Sequence, residues 1–209
     1  MANLPPLTRQ KNICIICEGL EDYEYFNRLC SIGVFNSIYK FKPLNVKGAS
    51  NIFARYQNEY NSDDYEAVLI FCDTDKFPYR EYAELKRKLR EFHDKEDVET
   101  KIVMYANPCT MQIILSHFGD VELKKQGKKT NADVIERLTG VENYAAHEDQ
   151  IKEICGKIYN RTYEPMKERI CRINLGDETS CSSNFCDFLE KFESDDVSWL
   201  SEIEVYLSE

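Results

Sequence analysis

Acidic residues follow two apolar runs of the chain, at the points where those runs stop. The first run covers residues 13–17 and precedes Glu18, and the second covers 67–72 and precedes Asp73 and Asp75. Continuous apolar runs of this length indicate strands that are buried on both faces, as in parallel sheets. Neighbouring parallel strands lie roughly 4.8 Å apart and end at the same edge, so they would gather the three carboxylates. Such a cluster is repulsive without a cation, and its oxygen ligands suit Mg²⁺ or Mn²⁺.

The spacing of Asp73 and Asp75 leaves two interpretations open. Acids two positions apart on an extended segment point the same way, which favours metal binding. In the alternative, one acid caps the following helix and the other belongs to a loop. The pair Glu18-Gly19 at the other strand end favours the metal site, because a glycine allows close approach of a phosphate to the backbone.

The composition is that of one sizeable domain with a small appendage. The chain has 209 residues, of which 43% are hydrophobic, and no apolar stretch of 18 residues that would predict a membrane span. Residues 1–11 contain no apolar segment after a basic one, so no secretory signal is expected. The nine cysteines, several of them inside apolar runs, are predicted to be small buried hydrophobes rather than disulfides. These features together predict a cytosolic protein.

The negative charge is concentrated at one end of the chain. The formal net charge is −10, but residues 177–209 alone carry ten acidic side chains and one lysine. The rest of the chain is close to neutral, so a local basic patch could still bind a polyanion. We favour the basic loop at 124–129 as a nucleic-acid contact, through Lys124, Lys125, Lys128 and Lys129. The basic residues of 86–90 lie between the acids Glu84 and Glu91 and indicate a solvated helix face.

The order of the predicted elements indicates a doubly wound, mostly parallel α/β sheet. Four β-α units follow one another, with strands near 12–18, 39–46, 66–72 and 101–106 and helices near 20–33, 51–60, 79–93 and 111–118. Pro43 predicts that the second strand lies at an edge or contains a bulge, and Ser50 is a candidate cap for the second helix. We expect an α/β core at 1–120 and, at 121–209, a mainly helical extension packed on it. Its predicted helices are 132–138, 150–159 and 184–192.

Other reactive residue patterns point to structural roles. Cys14 and Cys17 fall on opposite faces of a strand, and no second cysteine pair stands at zinc-ribbon spacing. Cys181 and Cys186 lack a nearby histidine that would complete a zinc site. His117, at the end of a predicted helix, is expected to be a satisfied structural histidine. The chain also contains neither a P-loop motif nor a Gly-x-Ser-x-Gly elbow.

Three segments together resemble the RloB-like group of Toprim-domain proteins. They are residues 17–26, with the sequence CEGLEDYEYF, residues 73–75, with the sequence DTD, and Asn107-Pro108-Cys109 leading to His117-Phe118. The Toprim pattern is a Glu at the end of the first strand and Asp-x-Asp at the end of the third. The RloB-like additions are an acid and Tyr-Phe after Glu-Gly, and Asn-Pro followed by an apolar helix. The resemblance extends over roughly residues 12–190.

The resemblance implies a Toprim, Rossmann-like fold and a nuclease of bacterial restriction or anti-phage defence loci, including abortive infection. Glu18 would match the family's general acid/base and metal ligand, Asp73 and Asp75 its metal-binding pair, and Asp22 a second-site ligand. Gly19, Asn107 and Pro108 would be structural residues near the site. The chain departs from the family in the helix after Asn-Pro. That helix usually carries Phe-Glu and Trp, where this sequence has Thr110, Met111 and Ile113.

Two functions from different classes are compatible with these observations. The first is a Mg²⁺- or Mn²⁺-dependent nuclease that hydrolyses the phosphodiester bonds of DNA or RNA. The second is a catalytically weak or inactive effector or sensor, which would use the same scaffold to bind a partner protein or nucleic acid. The absence of the family's usual Glu at Met111 favours the second. An ATPase encoded nearby is an expected partner, no membrane is involved, and the oligomeric state is open, a homo-oligomer included.

Overall fold

The computed structural model describes residues 9–74, 79–123, 128–177, 179 and 181–208. Its strands are β1 (Lys11–Cys17), β2 (Tyr39–Asn45), β3 (Ala67–Asp73) and β4 (Val103–Ala106). The helices of the first half are α1 (Leu20–Ser31), α2 (Ile52–Tyr60), α3 (Arg80–His93), α4 (Glu99–Ile102) and α5 (Met111–Leu115). Those of the second half are α6 (Lys128–Thr139), α7 (Glu148–Gly156), α8 (Asn160–Cys171), α9 (Phe185–Glu193) and α10 (Ser198–Ser208).

The four strands form one parallel sheet in the order β2-β1-β3-β4. The central strands β1 and β3 are the two apolar runs, and side chains 13–17 and 67–72 are buried. Burial on both faces is why these strands are continuously apolar. The β2 strand lies at one edge, as Pro43 predicted, because a residue without an N–H interrupts a hydrogen-bonded ladder least there. The predicted α/β fold class is confirmed.

The other edge of the sheet is closed by the segment before α9. The Asn184 side-chain amide accepts from the backbone N–H of Tyr105 and donates to the carbonyl of Val103, both at 2.8 Å. Ser183 forms an antiparallel bridge with Ala106. The polar backbone of β4 is thereby satisfied, which protects a strand that would otherwise present an open edge.

Helices cover both faces of the sheet. On one face, Phe26 of α1 and Phe185 of α9 pack against Phe71 of β3, the Phe71 and Phe185 rings being stacked with centroids 5.0 Å apart. On the other face, Tyr56 of α2 and Tyr82 of α3 are buried. The C-terminal helices therefore share the core of the sheet. None of the helices in the described ranges has both the length and the apolar composition needed to cross a bilayer.

Several local predictions are wrong. Residues 99–102 form a helical turn, so the fourth strand begins at Val103 and not near 101. Ser50 lies inside a short 3₁₀ turn at Ala49–Asn51 and does not cap α2 with its side chain. The helix after Asn-Pro ends at Leu115, three residues early. Helices α8 and α10 were not predicted, whereas the helix predicted near 79–93 is confirmed as α3.

The cysteine prediction fails for one pair. Cys171 at the end of α8 and Cys186 in the first turn of α9 form a disulfide, with Cα atoms 5.3 Å apart. The packing of α8 against α9 brings them together, so their separation of 15 residues gives no hint of the pairing. The other seven cysteines are free, and Cys14, Cys17, Cys72 and Cys155 are buried as predicted.

Candidate metal centre

The ends of β1 and β3 bring Glu18 and Asp73 together. The ladder between these strands ends at the pair Cys17 and Phe71, and the N–H of Glu18 then donates to the Phe71 carbonyl at 3.1 Å. Beyond that point the backbone N–H of Asp73 donates to Glu18 Oε2 at 3.1 Å. The predicted proximity of the two strand ends is therefore present, and it is set by the register of the central strands.

The first turn of α1 adds Asp22 to this edge. Its side chain is only 3% exposed, and Oδ2 accepts the N–H of Gly19, which precedes the helix, at 2.9 Å. Oδ1 of Asp22 forms a short hydrogen bond with the hydroxyl of Thr110. Both carboxylate oxygens are thus engaged by the protein. Asp22, which the sequence predicted as a metal ligand, therefore lies at the site and is oriented by Gly19 and Thr110.

Thr110, immediately before α5, connects Asp22 to Asp73. Its backbone N–H donates to Asp73 Oδ1 at 2.7 Å, and its hydroxyl lies 3.1 Å from the same oxygen. In the sequence, Thr110 is marked only by its departure from the family pattern, and no role was predicted for it. The contact depends on β4 lying beside β3, since β4 leads directly into the segment that carries Thr110.

Two further residues that were given no role lie beside Asp73. One ligand atom each from Glu21, Asp73 and Cys109 falls within a group whose members are all within 4.8 Å of one another. Glu21 Oε1 also accepts the hydroxyl of Tyr144 at 2.6 Å. Glu21 directly precedes Asp22 in the acidic run after Gly19, which was the sequence signal for it. Cys109 had no comparable signal beyond following Asn107-Pro108.

The carboxylates of the cluster lie close together and are partly shielded from solvent, so their negative charges repel one another. Burial, followed by the charges of Asp22, Glu18 and Glu21, raises the pKa of Asp73 well above its usual range. Burial likewise raises the pKa of Asp22 to about 7, although its hydrogen bonds from Thr110 and Gly19 oppose the shift. Burial and the nearby Asp73 raise the pKa of the Cys109 thiol. Near neutral pH such a cluster is stabilised by a bound proton or by a cation.

The donor set fits a hard divalent cation. Glu21 and Asp73 offer carboxylate oxygens close to one another, and Glu18 adds a third carboxylate beside the Asp73 backbone; carboxylate oxygens are the ligands that Mg²⁺ and Mn²⁺ prefer. Cys109 adds a sulfur to the group, a softer ligand that these hard cations bind less readily than carboxylate oxygens. A cleft of about 10 Å³, room for about one water, is lined by Glu18, Asp73 and Glu81 on the α2–α3 side of the sheet.

Some predicted site residues cannot be compared with the structure. Asp75, Lys124 and Lys125 lie outside the described residues. Lys128 and Lys129 form the first turn of α6 and not a loop, and their side chains are not described. Of the predicted metal pair, the structure therefore describes only Asp73. Of the predicted basic loop, it describes only the start of helix α6.

The predicted structural residues have separate roles. The Asn107 side chain donates to the Asp177 carbonyl at 2.9 Å, which attaches the end of β4 to the 174–177 segment, and its bond to Pro108 is cis. A Cβ added to Gly19 would meet nothing closer than Asp22 Oδ2 at 3.9 Å, and its φ is −138°. Neither backbone conformation nor protein packing therefore requires glycine at position 19.

The residues that depart from the family pattern are buried in the core. Met111 is 2% exposed, so an apolar core side chain occupies the position where the resemblance would place a Glu. The neighbouring Gln112 donates to the Val121 carbonyl at 2.7 Å and accepts the Leu123 N–H at 2.8 Å. It fixes the 121–123 segment and does not replace the missing carboxylate.

Two interpretations in favour of structural roles are consistent with the contacts. The cations of 86–90 are paired, Lys86 with Asp177, Arg87 with Glu84 and Glu91, Lys88 with Glu84, and Arg90 with Glu99. His117 is buried between the hydroxyls of Tyr25 and Thr162, each 3.0 Å from a ring nitrogen. Neither group belongs to the carboxylate cluster.

Comparisons of the chain with protein-family models, with curated proteins and with solved structures find no match. The functional interpretation therefore depends on the geometry and chemistry of the carboxylate cluster.

Proposed function

We propose that this protein is a Mg²⁺- or Mn²⁺-dependent phosphodiesterase acting on DNA or RNA in a bacterial anti-phage defence system. The observation that supports this most is the gathering of Glu18, Glu21 and Asp22 around the half-buried Asp73, where burial, followed by these charges, raises the pKa of the Asp73 carboxyl. A protein keeps such a repulsive arrangement at a strand-end cleft more readily when a ligand compensates for it. The RloB-like resemblance supplies the reaction class and the defence setting.

In this proposal Glu18 and Asp73 hold the cation, together with Asp75, and Glu21 lies within reach of it. When bound, such a cation neutralises the charge of the scissile phosphate and lowers the pKa of the attacking water. Magnesium usually keeps several waters and binds few protein carboxylates, which agrees with a small donor set. Asp22 contributes indirectly, because both of its oxygens are engaged by Gly19 and Thr110.

Glu18 is the proton acceptor that we propose for the attacking water. Its Oε2 is held by the Asp73 amide, which keeps the carboxylate at the strand end beside the cleft. A carboxylate held in this way acts as a general base only within hydrogen-bond reach of the water. The hydrogen bond that the Glu18 carboxylate accepts from Asp73 of β3 provides that fixed placement.

The nucleic-acid backbone would contact cations around the same edge. Lys47 follows β2, is exposed, and forms no ion pair with the described acidic residues. The next residue, Gly48, donates its N–H to the Glu18 carbonyl at 2.7 Å, so the Lys47 loop adjoins the cluster. Lys124, Lys125, Lys128 and Lys129 remain proposed backbone contacts. Contacts of this kind hold the phosphates without reading the sequence.

We also propose that the protein acts in the cytosol. Seven described cysteines are free, and four of these are buried, a usage expected where thiols stay reduced. The Cys171–Cys186 disulfide is the exception among the described cysteines.

A second candidate function, a non-catalytic effector or sensor, is favoured by Met111. This buried residue leaves the site without one carboxylate that the family usually has. In such a protein the scaffold would bind a partner, an ATPase encoded nearby being the expected one. The two candidates differ in whether a cation and a nucleic acid together produce cleavage.

Labelled DNA and RNA, incubated with Mn²⁺ and with wild-type protein or Asp73→Asn, test the proposed function. We expect cleavage by the wild type and a loss of at least a hundredfold in the variant. Glu202→Gln is the matched control, because it also removes one negative charge, from an exposed position on α10. Equal cleavage by wild type and Asp73→Asn would reject the assignment, and binding of Mn²⁺ without any cleavage would favour the effector.

A further inference from the structure

We infer that Thr110 is a positioning residue of the proposed metal centre, which orients Asp73 and connects it to Asp22. This inference rests on the proposed function and adds a residue that the resemblance does not supply. Thr110 is fully buried and lies immediately before α5. It contacts carboxylates from two other elements, α1 and β3, so three elements meet at one side chain.

The contacts to Asp73 determine which of its oxygens faces the protein. Both the backbone N–H and the hydroxyl of Thr110 approach Oδ1, at 2.7 and 3.1 Å. The N–H donates to Oδ1, and the hydroxyl, whose single proton can serve either Asp22 or Asp73, lies beside the same oxygen, so Thr110 fixes the position of Oδ1. The arrangement leaves Oδ2 as the oxygen of Asp73 directed away from Thr110, and we assign the cation contact to it.

The hydroxyl of Thr110 is not explained by helix capping. A threonine that precedes a helix usually accepts a hydrogen bond from a backbone N–H of the first turn. Thr110 forms no such bond with its side chain. Its hydroxyl instead contacts Oδ1 of the buried Asp22 and Oδ1 of Asp73. A purely structural cap would not need those partners.

Hydrogen bonds therefore connect Gly19, Asp22 and Thr110 to the proposed metal ligand Asp73. Gly19 N–H fixes one oxygen of Asp22, and Thr110 connects the other oxygen of Asp22 to Asp73. Removing groups that orient a ligand typically weakens metal binding by about 10–100-fold. Thr110→Val keeps the shape and the backbone N–H but loses the hydroxyl. Thr110→Ser keeps both donors.

Calorimetric titration with Mn²⁺ of the full chain tests this inference. We expect Thr110→Val to bind Mn²⁺ about tenfold or more weakly than wild type, and Thr110→Ser to bind within about threefold of it. Thr139→Val is the matched control, because Thr139 is also buried and its hydroxyl donates to the Ile135 carbonyl, away from the carboxylates. That variant should bind like wild type.

The outcomes separate this inference from the proposed function. If wild type and Thr110→Val bind Mn²⁺ equally, the inference is rejected and the metal centre stands. It is also rejected if Thr110→Ser is as weak as Thr110→Val, since the hydroxyl would then not be the cause. If wild type binds no Mn²⁺, both proposals fail. Circular dichroism and urea unfolding identify misfolded variants. Thr110→Ala is titrated with Mn²⁺ in parallel, so that the effect of losing the hydroxyl is measured with a second substitution.

Discussion

The backbone N–H of Asp73 donates a hydrogen bond to the Glu18 carboxylate at 3.1 Å, just beyond the last paired residues of β1 and β3. The Glu18 side chain thus adds one more hydrogen bond between the two strands beyond the end of their backbone pairing. The same residue, Asp73, receives Thr110 on its own carboxylate. The relative position of Glu18 and Asp73 is therefore determined by the sheet.

Replacing Asp73 with Asn should stabilise the cation-free protein near pH 8. The variant removes a buried carboxyl crowded by Glu18, Glu21 and Asp22, and its amide oxygen can still accept the Thr110 N–H. We expect a gain on the order of 1 kcal/mol in the free energy of unfolding, measured by urea titration in EDTA. An unchanged or lower value would contradict the repulsion that we describe.

The same variant should lose stabilisation by Mn²⁺. A ligand at a hundred times its Kd stabilises the folded state by about 2.7 kcal/mol, so wild-type unfolding should shift clearly on addition of Mn²⁺. We expect no shift for Asp73→Asn and a wild-type shift for the exposed Glu202→Gln. A full shift in Asp73→Asn would mean that the cation binds elsewhere.

The stability of the cation-free protein should fall between about pH 4 and pH 7 because of Asp22. Burial raises the pKa of this carboxyl from 3.8 to about 7, so in that range the folded state binds more protons than the unfolded state. Its contribution is fully present below the unfolded pKa and is lost as the pH rises through the folded pKa. Asp22→Asn should remove this part of the pH dependence, and Glu202→Gln should not. Parallel wild-type and Asp22→Asn curves would refute the assignment.

Lys47→Ala should weaken nucleic-acid binding without changing the affinity for Mn²⁺. The lysine is exposed beside the Gly48 that contacts the Glu18 backbone, and it is expected to touch a phosphate. One lost phosphate contact lowers the slope of log Kd against log salt by about one. Fluorescence anisotropy at several salt concentrations measures this. Lys40→Ala, at the opposite end of β2, is the control, and equal slopes for the two variants would contradict the contact.

Thr74→Val should raise the free energy of unfolding by about 1 kcal/mol. The Thr74 hydroxyl is buried and has no hydrogen-bond partner within the described part of the chain, so a methyl group removes an unsatisfied polar atom. Thr139→Val should have the opposite effect, since that hydroxyl donates to Ile135. Chemical denaturation in EDTA compares the two variants. Destabilisation by Thr74→Val would show that its hydroxyl has a partner after all.

The sequence was sufficient for those parts of the site that belong to single strands. Glu18 and Asp73 end apolar runs, and two buried strands of a parallel sheet place their ends at one edge. Thr110 and Cys109 were beyond such reasoning, because their position depends on β4 pairing with β3 and on the turn that follows β4. Their own residue types carry no metal-site signal.

Tertiary packing also explains the missed elements. Helix α8 contains Pro165, which removes a backbone donor and lowers any helix prediction, yet Tyr163, Met166 and Ile170 are buried and hold the helix in place. The Cys171–Cys186 disulfide depends on that helix packing beside α9. Neither feature has a local pattern from which it could be predicted.

The most direct measurement is the anomalous difference density of a crystal of the wild-type protein soaked in Mn²⁺. We expect a peak at the carboxyl edge of β1 and β3, about 2.2 Å from carboxylate oxygens of Asp73 and Glu18. The same peak should be absent from crystals of Asp73→Asn. Well-ordered wild-type crystals at saturating Mn²⁺ with no peak there, or with a peak only at another acidic surface, would contradict this expectation.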